Sequence, residues 1–250
     1  MKSLKILVFD ISGEYGHFRK FNTTSSPLTY SIPPRSALAG MLGAILGIER
    51  EIAPNVYPDD VIPVNEVFAP ENAQFAIQVL APINKVNIGF NLLDTGKSPS
   101  SFFNIQNRTQ IEFELLKQLK FRIFLHHSDE EIFNELAQRI RDTRHHFTPY
   151  LGLSQFTANV RWIEQTEAIP DEQTQGYTEI ITAVNLSKLT NKAPIQFRQD
   201  FYSVDTLPMA MRRDRVITQY AEILIEKKGN PILVNTNHYW KTKFGNILFL

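Results

Sequence analysis

The 250-residue chain contains no cysteine. That excludes a disulfide framework, a thiolate zinc site and a thiol nucleophile. Long hydrophobic runs are also missing. The longest, Ala37–Ile48, is 12 residues with three glycines inside it, against the roughly 20 needed to span a bilayer. The amino terminus, MKSLKILVFDIS, has no apolar core ending in small residues, so it reads as a strand and not as a secretion signal. The expected location is the cytoplasm, with no membrane partner. Net charge is missing too: 26 basic and 26 acidic side chains cancel, which rules out a polybasic tail. The 43% apolar content supports a full core.

The zero charge hides an alternation. Residues 1–50 carry +3, 51–80 carry −5, 81–128 carry +3, 129–160 carry −2, 161–190 carry −3 and 191–250 carry +4. Three basic segments separated by acidic ones either converge on one positive groove after folding or reflect ordinary surface variation.

Leu4–Ile11 is almost wholly apolar and predicts a central strand buried on both faces. Pro33-Pro34 then leads into a helix over Arg35–Gly47. Ser36, Gly40, Gly43, Ala44 and Gly47 line one smooth face of it, and Leu38, Met41, Leu42 and Ile45 the apolar side. The smooth face admits either a neighbouring backbone or a ligand's phosphate chain. Gln74–Pro82 is strand-like, Asn84–Arg108 is a polar excursion with the look of a long hairpin, and Ile111–Leu125 is one bent strand or two. Ser128 with Glu131 forms a capping box ahead of a helix striped by Ile132, Leu136 and Ile140. A strand follows near Ala158–Glu167. Strand, helix, strand, strand, helix, strand is the order of a ferredoxin-like split unit, an α+β fold. The expected division is a core over 1–167, with the excursion at 84–108, and a β-rich part over 168–250. There, Ile223–Ile225 and Ile232–Val234 flank Lys228-Gly229-Asn230, a hairpin signal.

Phosphate-loop and dinucleotide-binding fingerprints are both missing. The histidines at 17, 126, 127, 145, 146 and 238 lack chelating spacing, so no metal and no cofactor is expected. The segment Gly13–Phe21 is more informative. Tyr15, His17 and Phe18 supply flat rings, and Arg19 and Lys20 supply cations. Rings interleaved with cations suit single-stranded nucleic acid; equally, the rings can pack onto the sheet edge. Arg35 and Ser36 open the first helix, whose free amides favour a phosphate.

The opening LKILVFDISGEYGHFRKFNTTSSPLTYSIPPRSALAGMLGAILGI resembles the start of the CRISPR-associated Cas-five family, most nearly its type I-B branch. The likeness continues through Asn107–Phe113, Tyr150-Leu151-Gly152-Leu153-Ser154, Leu207-Pro208-Met209-Ala210-Met211 and the region of Tyr239. It implies a ferredoxin-like RAMP core with an inserted thumb hairpin. It also implies a non-catalytic subunit of Cascade that caps the 5′ handle of the crRNA in antiviral, RNA-guided DNA targeting. The implied partners are the Cas-seven backbone subunit, the Cas-eight large subunit and, through the complex, target DNA. On this reading Arg19, Lys20, Arg35, Lys85 and Arg108 hold phosphates, Tyr15, His17 and Phe18 stack on bases, and Ser36 sits in the groove. Phe102 and Phe103 wedge against RNA, bury in a neighbouring subunit or form a small core under their own loop. A relative in type I-C cuts repeat RNA with a Tyr, Lys and His set, whereas type I-B relies on a separate Cas-six nuclease. The alternative is therefore a metal-independent endoribonuclease using His17 or His126 with a lysine.

Overall fold

The computed structural model describes residues 2–20, 27–49, 56–57, 61–93, 108–172, 176–189, 194–198 and 201–250. The expected central strand is β1 (Leu4–Gly16). Its alternate side chains are buried on both faces: Leu7, Phe9 and Ile11 lie in the core beneath the helices, and Ile6 and Val8 in a second cluster with Phe124, Ile247 and Phe249. β1 lies between β4 (Arg108–His127) and β5 (Asn159–Glu172), antiparallel to both. β2 (Ala73–Val79) pairs with the far side of β4. The order β2-β4-β1-β5, with α1 (Arg35–Leu46) and α3 (Glu130–Arg141) joining the strands, is the ferredoxin-like arrangement. The one-turn α2 (Val64–Val67) precedes β2.

β4 is a single 20-residue strand with a break in conformation at Gln118, whose φ is 52°. On the sheet side of that break it pairs with β2. On the other it pairs with β3 (Asn84–Leu93), from Asn84↔Lys117 to Leu93↔Arg108. The excursion expected at 84–108 is thus one strand of a two-stranded arm whose return strand reaches Lys117. The sequence left this open because the apolar alternation of Ile111–Leu115 lapses at Leu116-Lys117-Gln118 and resumes in the same phase at Leu119, a pattern that fits one strand or two. Phe102 and Phe103 lie outside the described residues, as does the side chain of Arg108.

α3 begins one residue later than the capping-box reading implies. The cap is Asp129, whose carboxylate accepts from the amides of Glu131 (2.8 Å) and Ile132 (3.1 Å). Asp129 has the extended backbone a cap requires, and its carboxylate offers the stronger acceptor to positive-end amides.

The C-terminal part both extends the main sheet and adds a second one. β5 runs through the expected boundary at 167, and its last residues pair with β12 (His238–Thr242). From there the sheet continues through β13 (Gly245–Ile247), β6 (Thr178–Ile180), β11 (Ile232–Val234) and β8 (Ile195–Gln196). A second sheet, β7 (Val184–Asn185), β10 (Ile217–Glu226) and β9 (Tyr202–Met211), buries Leu207, Met209, Ala221, Ile223 and Ile225 in the main core. The hairpin expected around Lys228-Gly229-Asn230 does not form, because β10 and β11 belong to different sheet segments. Gly229 (φ 86°) turns the chain beneath Val79, whose carbonyl oxygen a Cβ would approach to 2.4 Å. Among the described residues, no helix is long and apolar enough to cross a membrane.

Candidate functional site

Beyond Gly16 the chain leaves β1 and is gripped from two sides. The His17 amide donates to the Leu151 carbonyl (2.9 Å). The next residues form a short ribbon, in which Tyr30 donates to the Phe18 carbonyl and Lys20 to that of Leu28 (both 2.8 Å). Gly152 makes the close approach possible. Its φ is 88°, and a Cβ there would lie 1.8 Å from the His17 carbonyl oxygen, so a side chain is excluded twice over.

The ribbon delivers the chain to α1, which starts after Pro34 without a side-chain cap. The helix buries Leu38, Leu42 and Ile45 completely. On its small-residue face, Gly43 is met by Val64 and Gly47 by His146, while an ideal Cβ on Gly40 meets nothing within 4 Å. Side chains of other segments therefore pack on the far end of that face, and its middle is bare.

The bare part floors a cleft of about 920 Å³. Arg19, Ser36, Gly40, Tyr150, Leu153 and Met209 are among its lining residues, together with Tyr57, Phe147, Met211 and Arg215. Four stretches far apart in sequence, with the α2 region beside them, meet here: the residues just after β1, the start of α1, the Tyr150–Leu153 loop and the Pro208–Met211 end of β9. Tyr150 and Phe147 are exposed, at 42% and 45%.

The structure redistributes the expected binding residues. His17 and Phe18 are 2% and 3% exposed, so their rings are core material and do not offer faces for stacking. His17 packs edge-on against Phe113 (5.2 Å between centroids) and donates from Nδ1 to the Glu114 carbonyl (2.8 Å). Burial holds its pKa below the ordinary value, a shift the Glu114 hydrogen bond opposes and Arg19 reinforces. Tyr15 is half-buried beside Phe156.

Arg35 is 6% exposed, and its guanidinium donates to the carbonyls of Phe68 and Ala69 (both 3.0 Å) and Ala73. It also lies 4.8 Å from the Phe75 ring centroid, and burial pulls it down to about 10. Its role is thus to hold the turn after α2, with Nη2 making all three contacts, and the phosphate expectation is corrected by burial: the guanidinium is turned into the protein, not out toward a phosphate. Lys20 pairs with the buried Asp205 (2.8 Å), which also accepts from the Ser31 amide. Burial tends to raise the Asp205 pKa, but Lys20 and Ser31 prevail and lower it. Lys85 bridges Glu114 (2.9 Å) and the Thr29 carbonyl (2.7 Å), fastening the arm to the ribbon. Of the expected cations, Arg19 is exposed and lines the cleft, and the half-buried Ser36 lines it as well.

The sequence reading passed over Tyr57, Arg213 and Arg215. The Arg213 guanidinium lies 4.9 Å from the Tyr57 ring centroid, and Tyr57 and Arg215 line the cleft. The available signal was the +4 charge of residues 191–250, concentrated in Arg212-Arg213-Asp214-Arg215.

The family described as "CRISPR-associated protein (Cas_Cas5)" matches residues 6–225. The chain belongs to the Cas-five family. The match takes in the ribbon, α1, the arm and β9, so the four stretches that line the cleft fall inside the family region. Among solved structures, a chain of a "CRISPR RNA-guided surveillance complex" is similar at 14% identity and a TM-score of 0.56, over 92% of this chain and 90% of that one. A "CRISPR protein from Archaeoglobus fulgidus" is similar at 10% identity and a TM-score of 0.53, over 98% of each. At such identities the likeness concerns the fold. No curated protein matches the sequence.

Proposed function

We propose that this Cas-five chain is a non-catalytic subunit of an RNA-guided CRISPR surveillance complex, and that its cleft grips the 5′ handle of the crRNA. The observation that carries this reading is the convergence of four distant stretches of the family region on one cleft. The cleft combines a bare helical floor, aromatic walls and arginine at its edge, which is the chemistry that unstacked bases and their phosphates require. The fold shared with a chain of an RNA-guided surveillance complex supports it. The finer assignment is to a type I-B-like Cascade, with a Cas-seven backbone subunit and a Cas-eight large subunit as neighbours. It rests on the resemblance of Leu4–Ile48 to that branch.

The non-catalytic assignment is supported by the state of two histidines. The His17 ring is buried and fixed to a backbone carbonyl. His126 bonds the Lys5 carbonyl (2.9 Å) and is not among the residues lining the cleft. A general acid or base needs reach to a reacting proton. His126 lies away from the cleft, and the His17 ring, although it borders the cleft, is only 2% exposed.

The test is co-purification of the tagged full chain from cells that carry the remaining subunits and a CRISPR array. The expected result is a set of RNAs sharing one 5′ end, together with the other subunits. Recovery of the protein without RNA overturns the proposal. Repeat RNA incubated with the chain in EDTA is expected to remain intact. Cleavage abolished by His17→Gln or His126→Gln would replace this reading with the endoribonuclease.

A further inference from the structure

The turn joining β9 to β10 holds three arginines around one acid. Arg212 and Asp214 build the turn: the guanidinium donates from Nη2 (2.7 Å) and Nε (3.2 Å) to the carboxylate, which also accepts from the Val216 amide (3.1 Å). Those hydrogen bonds hold Asp214 below the usual carboxylate range. The pair is internally neutral, so Arg213 and Arg215 leave the turn with two net positive charges. Both are exposed. Arg215 has a φ of 60°, a left-handed conformation that glycine or asparagine adopts with less strain. A strained arginine at the edge of a cleft points to use of its side chain.

We infer that Arg213 and Arg215 hold the sugar-phosphate backbone of single-stranded RNA while one unstacked base enters the cleft over Gly40 and beside Tyr57. This rests on the RNA reading above and adds the binding mode and its residues. The Arg213–Tyr57 stack presents a flat surface and leaves the guanidinium edge able to donate to a phosphate. Gly40 leaves room for a planar ring to lie on the helix, and the thioethers of Met209 and Met211, both lining the cleft, adapt to its outline. Charge selects a polyanion. Of the ionised side chains lining the cleft among the described residues, Arg35 is engaged with carbonyls, Arg19 and Arg215 are exposed, and Glu49 is the one acid.

The experiment is fluorescence-anisotropy binding of the full chain to a labelled, unstructured 8-nucleotide RNA, to an abasic oligomer of the same length, and to a polyglutamate peptide, each across a salt series. For the Arg213→Ala/Arg215→Ala variant, affinity for the RNA is expected to fall about tenfold or more. Its salt slope should flatten by about 0.7 for each phosphate that the variant no longer neutralises. Gly40→Leu, whose new side chain starts in open space, is expected to retain its melting temperature. It should weaken the RNA about tenfold, the loss of one stacked base, and leave the abasic oligomer unaffected. If wild type binds RNA and Arg19→Ala flattens the slope, but the arginine-turn and Gly40 variants bind as wild type, this inference fails and the RNA reading stands. If wild type binds neither oligomer, the RNA reading itself fails. Binding of polyglutamate in preference to RNA, lost in the double variant, overturns the inference in favour of an acidic protein segment.

Discussion

Two helices of equal length pack on the same sheet, and they are held in opposite ways. α3 supplies its own support: Asp129 caps it, Glu135 and Arg139 pair one turn apart (2.8 Å), and Phe133, Leu136, Ala137 and Ile140 form one buried stripe. α1 has no side-chain cap, no acid in its first turn and no base in its last. Its end is completed from outside. The amides of His146 and Phe147 donate to the carbonyls of Ile45 (3.2 Å) and Ala44 (2.9 Å), and Arg139 reaches Ile45 from α3 (3.3 Å). The segment after α3 therefore finishes α1. A helix that borrows its stability leaves one face clear of long side chains, and that clear face floors the cleft.

The largest expected effect tests the borrowed support. Arg35→Met removes the donor from three buried carbonyls and should cost about 3 kcal/mol or more in urea denaturation. A loss below about 1 kcal/mol would mean that α1 does not depend on its surroundings. Gly47→Ala should cost about 1–2 kcal/mol, since φ is 86° and the new Cβ would lie 2.6 Å from the His146 ring. Asp129→Ala should cost about 1 kcal/mol by removing the α3 cap. A greater loss than Arg35→Met would invert the contrast between the helices. Gly40→Ala should instead raise stability by up to about 1 kcal/mol, because its Cβ enters open space. Destabilisation there would show that something packs on the floor of the cleft. The smallest effect is in pH. Burial lowers the folded pKa of His17, so between that value and about 6.5 the unfolded chain binds the extra proton. Stability should decline as pH falls through that window and be flat above it. His17→Gln should make the decline shallower, with a remainder from His145, which burial also shifts down.

Much of the fold was legible in the chain. The nearly continuous apolar run marked β1 as central, and the stripe of Leu136 and Ile140 marked α3. The glycine spacing marked the face of α1 that became the floor of the cleft. The arginine turn was less legible, since its charges contribute to a segment total and to no periodicity. The fate of the cations at Lys20, Arg35 and Lys85 was not legible, because nothing next to them in sequence announces a partner.

By itself, then, the sequence determined the order of the ferredoxin-like elements β1, α1, β2, β4, α3 and β5, since periodicity acts over neighbouring residues, whereas the pairing of β3 with β4 and the arrangement of the strands beyond β5 were not written locally. Tertiary structure alone decided which rings and cations meet solvent. Lys20 finds Asp205 at a separation of 185 residues, Arg35 finds the carbonyl of Ala73 across 38, and His17 is sealed by a glutamate carbonyl 97 residues away. Burial and pairing are properties of the folded neighbourhood, and the chain brings those neighbours together only by closing the sheet.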